Sequence, residues 1–115
     1  MKSAETSIQI ALANYIVTEY PDVQFHSDYG SGTKLSFKQA SEQKAVNGGR
    51  SGWPDMLIAQ PIGRFNGLFV ELKKDGERIY KRDLSPASEH LAVQIDVLRK
   101  LSRCGYCVAL AVGFD

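Results

Sequence analysis

Two apolar runs of strand character, Met56-Leu57-Ile58-Ala59 and Leu68-Phe69-Val70, flank a segment that contains Asn66-Gly67. Asn-Gly between such runs is a strong hairpin signal, so the pattern predicts a β-hairpin over 55–74. Asp55 then stands at the start of one strand, and Glu71 and Lys73 near the end of its neighbour. Residues two apart in a strand share a face, which points Glu71 and Lys73 together and turns Leu72 away. Two carboxylates and an amine converging at one end of a hairpin can hold a divalent metal and orient a water. That is the equipment for hydrolysing a phosphodiester. The alternative for so short a motif is that Asp55 merely follows a turn proline, with Glu71 and Lys73 forming a surface ion pair.

Around the hairpin the chain divides into recognisable elements. Ile8, Leu12, Tyr15 and Ile16 form a helical stripe that predicts a helix over 4–19, ended by Pro21. Val23-Gln24-Phe25 reads as a short strand, and 27–52, rich in Ser, Gly, Lys and Gln, as a loop with a short helix near 38–46. A further strand is expected at Arg78–Lys81. Ser85 as N-cap, Pro86 at the first turn and Gly105 past the end delimit a last helix with the stripe Leu91, Ile95, Leu98 and Leu101. The closing run Cys107–Val112 suits a buried central strand. The order predicts an α/β fold, a mixed β-sheet flanked by helices.

Length sets the scale: 115 residues make about one domain, taken as 1–115, with 43% hydrophobic and 23% charged residues as in ordinary globular proteins. No apolar run approaches the ~20 residues of a membrane span, and the N-terminus lacks a signal-peptide core. The expectation is a cytoplasmic protein with no membrane contact. Net charge is only +1, but it is unevenly spread. Lys34, Lys38, Lys44 and Arg50 face a single acid, Glu42, within 30–52, and basic residues also outnumber acids over 53–82. Positive charge therefore surrounds the candidate site, where a polyanion would lie. Arg50, Lys74, Arg78, Lys81 and Arg82 are candidate phosphate contacts, with a solvated surface as the equal competitor.

Two polar residues intrude on apolar helical stripes. Gln94 falls among Leu91, Leu98 and Leu101, and Glu5 beside Leu12 and Ile16. A glutamate aimed at a core is costly unless paired or metal-bound. Glu5 could instead reach water at the helix start, and Gln94 could be a satisfied core amide. Cys104-Gly105-Tyr106-Cys107 follows a helix and enters a strand, so the dipole acts against a reactive thiol, and one Cys-x-x-Cys is half a zinc site. Two buried thiols are expected there. His26 and His90 carry no pattern, and Gly48-Gly49 lacks the Lys-Ser/Thr of a phosphate loop.

Taken in order, Gly52-Trp53-Pro54-Asp55, Gly67-Leu68-Phe69-Val70-Glu71-Leu72-Lys73 and the helix with Gln94, Leu98, Leu101 and Gly105 resemble the VRR-NUC branch of the PD-(D/E)xK nucleases. An opening helix with Glu5 and Gln9 fits the same scheme, and the resemblance covers most of the chain outside about 20–50. It implies a restriction-endonuclease-like core and a metal-dependent, structure-selective DNA endonuclease. Asp55, Glu71 and the Leu72 carbonyl would ligate Mg²⁺, with Mn²⁺ able to substitute. Lys73 would act on the attacking water, and Glu5 and Gln94 would be auxiliary, Glu5 as an optional further ligand. Stand-alone members of this kind are typical of bacteriophages and bacteria, act on branched DNA such as Holliday junctions, and include homodimers. Trp53 departs from the family, where a smaller aliphatic residue is commoner. The rival reading is a non-catalytic nucleic-acid-binding accessory module of replication or repair.

Overall fold

The computed structural model describes residues 4–28 and 36–113. In chain order they form α1 (Ala4–Glu19), β1 (Phe25–Ser27), α2 (Phe37–Val46), β2 (Met56–Ile58), β3 (Leu68–Lys73), α3 (Glu89–Arg103) and β4 (Cys107–Val112). The strands make one sheet in the order β1-β2-β3-β4. β1 and β2 are antiparallel, as are β2 and β3, while β3 and β4 run parallel. This is the mixed α/β sheet the sequence pattern implies. The parallel step follows from the chain's path, because α3 carries it back between β3 and β4 as a crossover helix.

β3 is the centre of the molecule. Phe69, Val70, Glu71, Leu72 and Lys73 are all buried, so both faces of the strand are covered. α1 packs against β3 and α3 against β4. Ile16 from α1, Met56 from β2 and Leu91, Ile95 and Leu98 from α3 complete the core. The α3 stripe is the one expected, with Gln94 buried inside it. On α1 the buried face runs through Gln9 and Ile16, whereas Tyr15 points outward.

Several expectations shift. The hairpin forms, but Asn66-Gly67 does not turn it. The tip is a small antiparallel bridge between Ile62 and Phe65 around Gly63-Arg64, with Gly63 at φ 58°. Asn66 instead docks on the α3–β4 turn: its backbone N–H donates to the Gly105 carbonyl (2.9 Å) and its side-chain amide to the Cys104 carbonyl (3.1 Å). The first strand lies two residues later than Val23-Gln24-Phe25, at Phe25–Ser27. The helix near 38–46 spans Phe37–Val46, opened by a capping box between Ser36 and Gln39. Part of the predicted 27–52 loop, residues 29–35, lies outside the described residues.

In the C-terminal half, Arg78–Lys81 forms no strand, only a bridge from Tyr80 to Pro86. α3 starts three residues later than its Ser85-Pro86 signal. Ser88 is the N-cap, accepting from the Leu91 N–H, while Ser85 closes a local turn on Asp83. β4 is an edge strand of intermediate burial, not a central one, because the chain order leaves it no partner beyond β3 among the described strands. Both thiols are free, Cys104 exposed and Cys107 half-buried, so the expectation of two buried thiols fails. No described helix is long and apolar enough to cross a membrane.

Candidate active site

The end of β2 is where the site is built. Asp55 immediately precedes β2, and Pro54 beside it is among the most completely buried side chains. Continuing the Met56↔Val70 register by two residues brings Pro54 level with Leu72. A proline has no N–H to give, so the ladder between β2 and β3 stops at this point. Leu72's N–H turns instead to the Asp55 carboxylate, donating to Oδ2 at 2.7 Å. Its carbonyl faces the same way. The Gly67 and Lys73 carbonyls accept from β4-side N–H groups, and strand alternation directs Leu72's toward the β2 side. Pro54-Asp55 thus ends one strand and exposes a backbone oxygen on its neighbour beside a fixed carboxylate.

Glu71 and Lys73 share the opposite face of β3 from Leu72, as expected, but far from forming a surface pair they are 2% and 4% exposed. Gln94 of α3, also buried, donates from Nε2 to Glu71 Oε1 at 2.9 Å. Lys73 Nζ lies 3.8 Å from Glu71 Oε1 and 3.9 Å from Glu77 Oε2. Glu71 Oε2 and Gln94 Oε1 are buried with no hydrogen-bond partner. The Glu71 carboxyl is pushed up to about 9, chiefly by burial and then by the neighbouring Asp55 carboxylate. Lys73 opposes that rise and Glu5 adds to it. This buried acid, crowded by a second one, has its ammonium neighbour on the Oε1 side, and its Oε2 has no hydrogen-bond partner.

Gln9 is a further member. It is buried, and its Nε2 donates to Ser27 Oγ and the Asp28 carbonyl, with the Asp55 carbonyl at 3.5 Å. One amide from α1 therefore ties the end of β1 to the start of β2. Its signal in the sequence was the one Gln94 gave, a polar residue on a helix's inward face. Glu77 had no such signal, since it reaches Lys73 only through the turn at Asp75-Gly76.

The structure thus brings together Asp55, Glu71, Lys73 and Gln94, with Glu5 close enough to influence Glu71. Arg50, Lys74, Arg78, Lys81 and Arg82 are all exposed, and Arg78 Nε donates to the Tyr80 carbonyl. Among the described residues, no three His, Cys, Asp or Glu side chains form a metal-holding group. The available donor set is therefore two carboxylates and the Leu72 carbonyl. These are hard oxygen ligands suited to a small divalent cation that keeps several waters. The orphan Glu71 oxygen is what such a cation would satisfy, so the residues fit it.

A solved structure described as a VRR_NUC domain protein superposes on 98% of this chain and 80% of its own with a TM-score of 0.64, at 24% sequence identity. The chain has the fold of a VRR_NUC domain protein. No family model matches its sequence, and no curated protein does. At this identity the VRR_NUC likeness concerns the path of the backbone, and the site rests on the side chains described above.

Proposed function

We propose that this chain is a VRR-NUC-type, divalent-metal-dependent deoxyribonuclease that hydrolyses phosphodiester bonds in branched DNA. The observation that carries the reading is the buried Glu71, raised to about 9 beside Asp55 with one oxygen unpartnered. A purely structural acid in this position would be better replaced by an amide or an apolar residue. Asp55, Glu71 and the Leu72 carbonyl would hold Mg²⁺ or Mn²⁺. Bound there, the ion would supply a lowered pKa to a water and offset charge gathering on the phosphate.

The chain's own residues do the remaining work. Gln94 fixes one Glu71 oxygen and so aims the other. Leu72's N–H fixes one Asp55 oxygen in the same manner, and Gln9 anchors the backbone that carries it. Lys73 is held between Glu71 and Glu77, where its ammonium would orient the attacking water and donate to a phosphate oxygen. The water oxygen attacks phosphorus in line, the opposite P–O ester bond breaks, and the water's proton leaves to solvent as the departing oxygen gains one. Arg50, Lys74, Arg78, Lys81 and Arg82 would contact flanking phosphates, each as an exposed cation of modest individual worth. Two copies related by a two-fold axis would match the symmetry of a four-way junction. Sedimentation that gives a monomer both alone and on DNA would remove the dimer.

The test is cleavage of labelled four-way-junction, flap and linear duplex DNA with Mg²⁺ or Mn²⁺, run beside Asp55→Ala. Cuts in branched DNA that vanish in the variant are expected. Folded protein that binds DNA but cuts nothing with either metal would reject the nuclease in favour of a binding module.

A further inference from the structure

Trp53 is the only tryptophan in the chain, and it stands two residues before the proposed ligand Asp55. The residue is 56% exposed. It is nevertheless held in place. It meets Phe69 in a T-shaped contact, ring centroids 5.1 Å apart, and Phe69 meets Tyr106 in another at 5.0 Å. On one side the backbone is pinned at Gly52, whose φ of +83° and position against Val93 leave no room for a side chain; on the other lies buried Pro54. A large apolar ring kept rigid yet open to solvent buries little for its own fold.

Its position relative to the site follows from β3. Phe69 and Glu71 are two residues apart on the same face, about 7 Å along the strand. An indole seated on Phe69 is therefore about two stacked nucleotides from a phosphate at Glu71, given ~3.4 Å per nucleotide along one strand. In the chain just before Trp53, Lys38, Lys44 and Arg50 are all exposed, with Glu42 the one acid over 36–52. The local charge thus favours a polyanion over an acidic protein partner.

We propose that Trp53 is a stacking platform for an unpaired base next to the scissile phosphate, so that this chain selects DNA with a frayed or branched strand over continuous duplex. The inference rests on the nuclease reading above. In continuous duplex each base is already stacked and paired, so the indole gains nothing there. At a branch or flap an unstacked base can leave its neighbours at low cost and lie against the ring. Aromatic stacking with a base is worth about 5- to 150-fold in affinity.

The single tryptophan makes the test direct. The 115-residue chain in EDTA is titrated with a dye-labelled flap DNA and a continuous duplex of equal length, reading dye anisotropy and indole emission together. Flap binding should quench Trp53 emission and duplex binding should leave it nearly unchanged. Trp53→Leu should lower the flap-over-duplex affinity ratio by roughly 5- to 150-fold, and Trp53→Phe, which keeps a ring on Phe69, should retain most of it. Flap binding with unchanged emission, or an unchanged ratio in Trp53→Leu, would overturn the platform and leave the nuclease reading standing. Should Trp53→Leu fail to fold, the wild-type emission and Trp53→Phe still decide the matter. Absence of an anisotropy change with any DNA would overturn both readings.

Discussion

Glu71→Gln should make the metal-free protein more stable while abolishing its response to Mg²⁺. Glu71 is 2% exposed, and its carboxyl is raised from 4.5 to about 9 by burial and by Asp55. At pH 8 the folded state retains a proton that the unfolded chain has released. Holding it there costs about 1.4 kcal/mol for each pH unit above 4.5, a ceiling of ~5 kcal/mol. The nearby Lys73 ammonium offsets part of that cost. Glutamine copies the protonated carboxyl, accepting from Gln94 through its oxygen and donating from its amide toward Asp55. A net gain of roughly 1–3 kcal/mol is expected, or ~4–12 °C in Tm for a domain of this size.

The pH dependence isolates the cause. Because the folded pKa is raised, this group's contribution to stability is complete below about pH 4.5 and is lost as pH rises toward 9. The Tm gap between Glu71→Gln and wild type should therefore be largest near pH 8 and nearly close towards pH 4.5, where Glu71 is protonated in the folded state and half protonated in the unfolded chain. Contributions from acids remote from Glu71 are common to the two proteins and cancel. Thermal unfolding in EDTA at pH 5 and pH 8, repeated at pH 8 with Mg²⁺, measures all of this. Wild type should gain stability from the cation and the variant should not. A gap independent of pH, or a variant less stable than wild type at pH 8 in EDTA, would refute the argument.

Lys73→Ala should abolish cleavage of junction and flap DNA while leaving DNA affinity largely intact; equal cutting at saturating Mg²⁺ would contradict its role. Ser88→Ala should cost about 1 kcal/mol in urea unfolding, and Ser85→Ala less, because Ser88 caps α3. Gly105→Ala should cost about 1–3 kcal/mol. The residue sits at φ +91°, and a Cβ there would lie 2.7 Å from the Asn66 amide that docks the hairpin on α3. Urea midpoints equal to wild type would count against either of the last two placements.

What the sequence made legible is what periodicity and strand alternation carry. The bounds of α1, the inward stripe of α3, β4 and the shared face of Glu71 and Lys73 are all properties of a few neighbouring residues. The misreadings fall where tertiary contacts compete with local signals. Asn66-Gly67 has the chemistry of a turn, but its amide is more useful on the Cys104 carbonyl, and Gly63-Arg64 closes the tip instead. Ser85-Pro86 looks like a helix start, yet Pro86 pairs with Tyr80 and the first turn waits for Ser88. Glu77 reaches Lys73 through a turn whose geometry no spacing rule gives. β4 is apolar enough for a central strand; only the strand order shows that it lies at the edge.

The Pro-Asp pair shows why so short a motif can specify a site. A strand residue other than proline at position 54 would offer an N–H in register with Leu72, and the ladder would continue past the site. Leu72's carbonyl would then be occupied by β2 and its N–H no longer the natural donor to Asp55. Proline removes that competing donor, and aspartate, one residue on, takes the N–H that the ladder gives up. On the facing strand the Glu-x-Lys spacing puts a carboxylate and an ammonium on one side of the sheet and leaves the middle residue to supply only its backbone. The fold's remaining task is to bury that cluster and aim it. Two amides from two helices, Gln9 and Gln94, do so without adding charge. Replacing Gln94 with a further acid would add repulsion to the burial that already raises Glu71, whereas an apolar residue there would release the carboxyl from its fixed orientation.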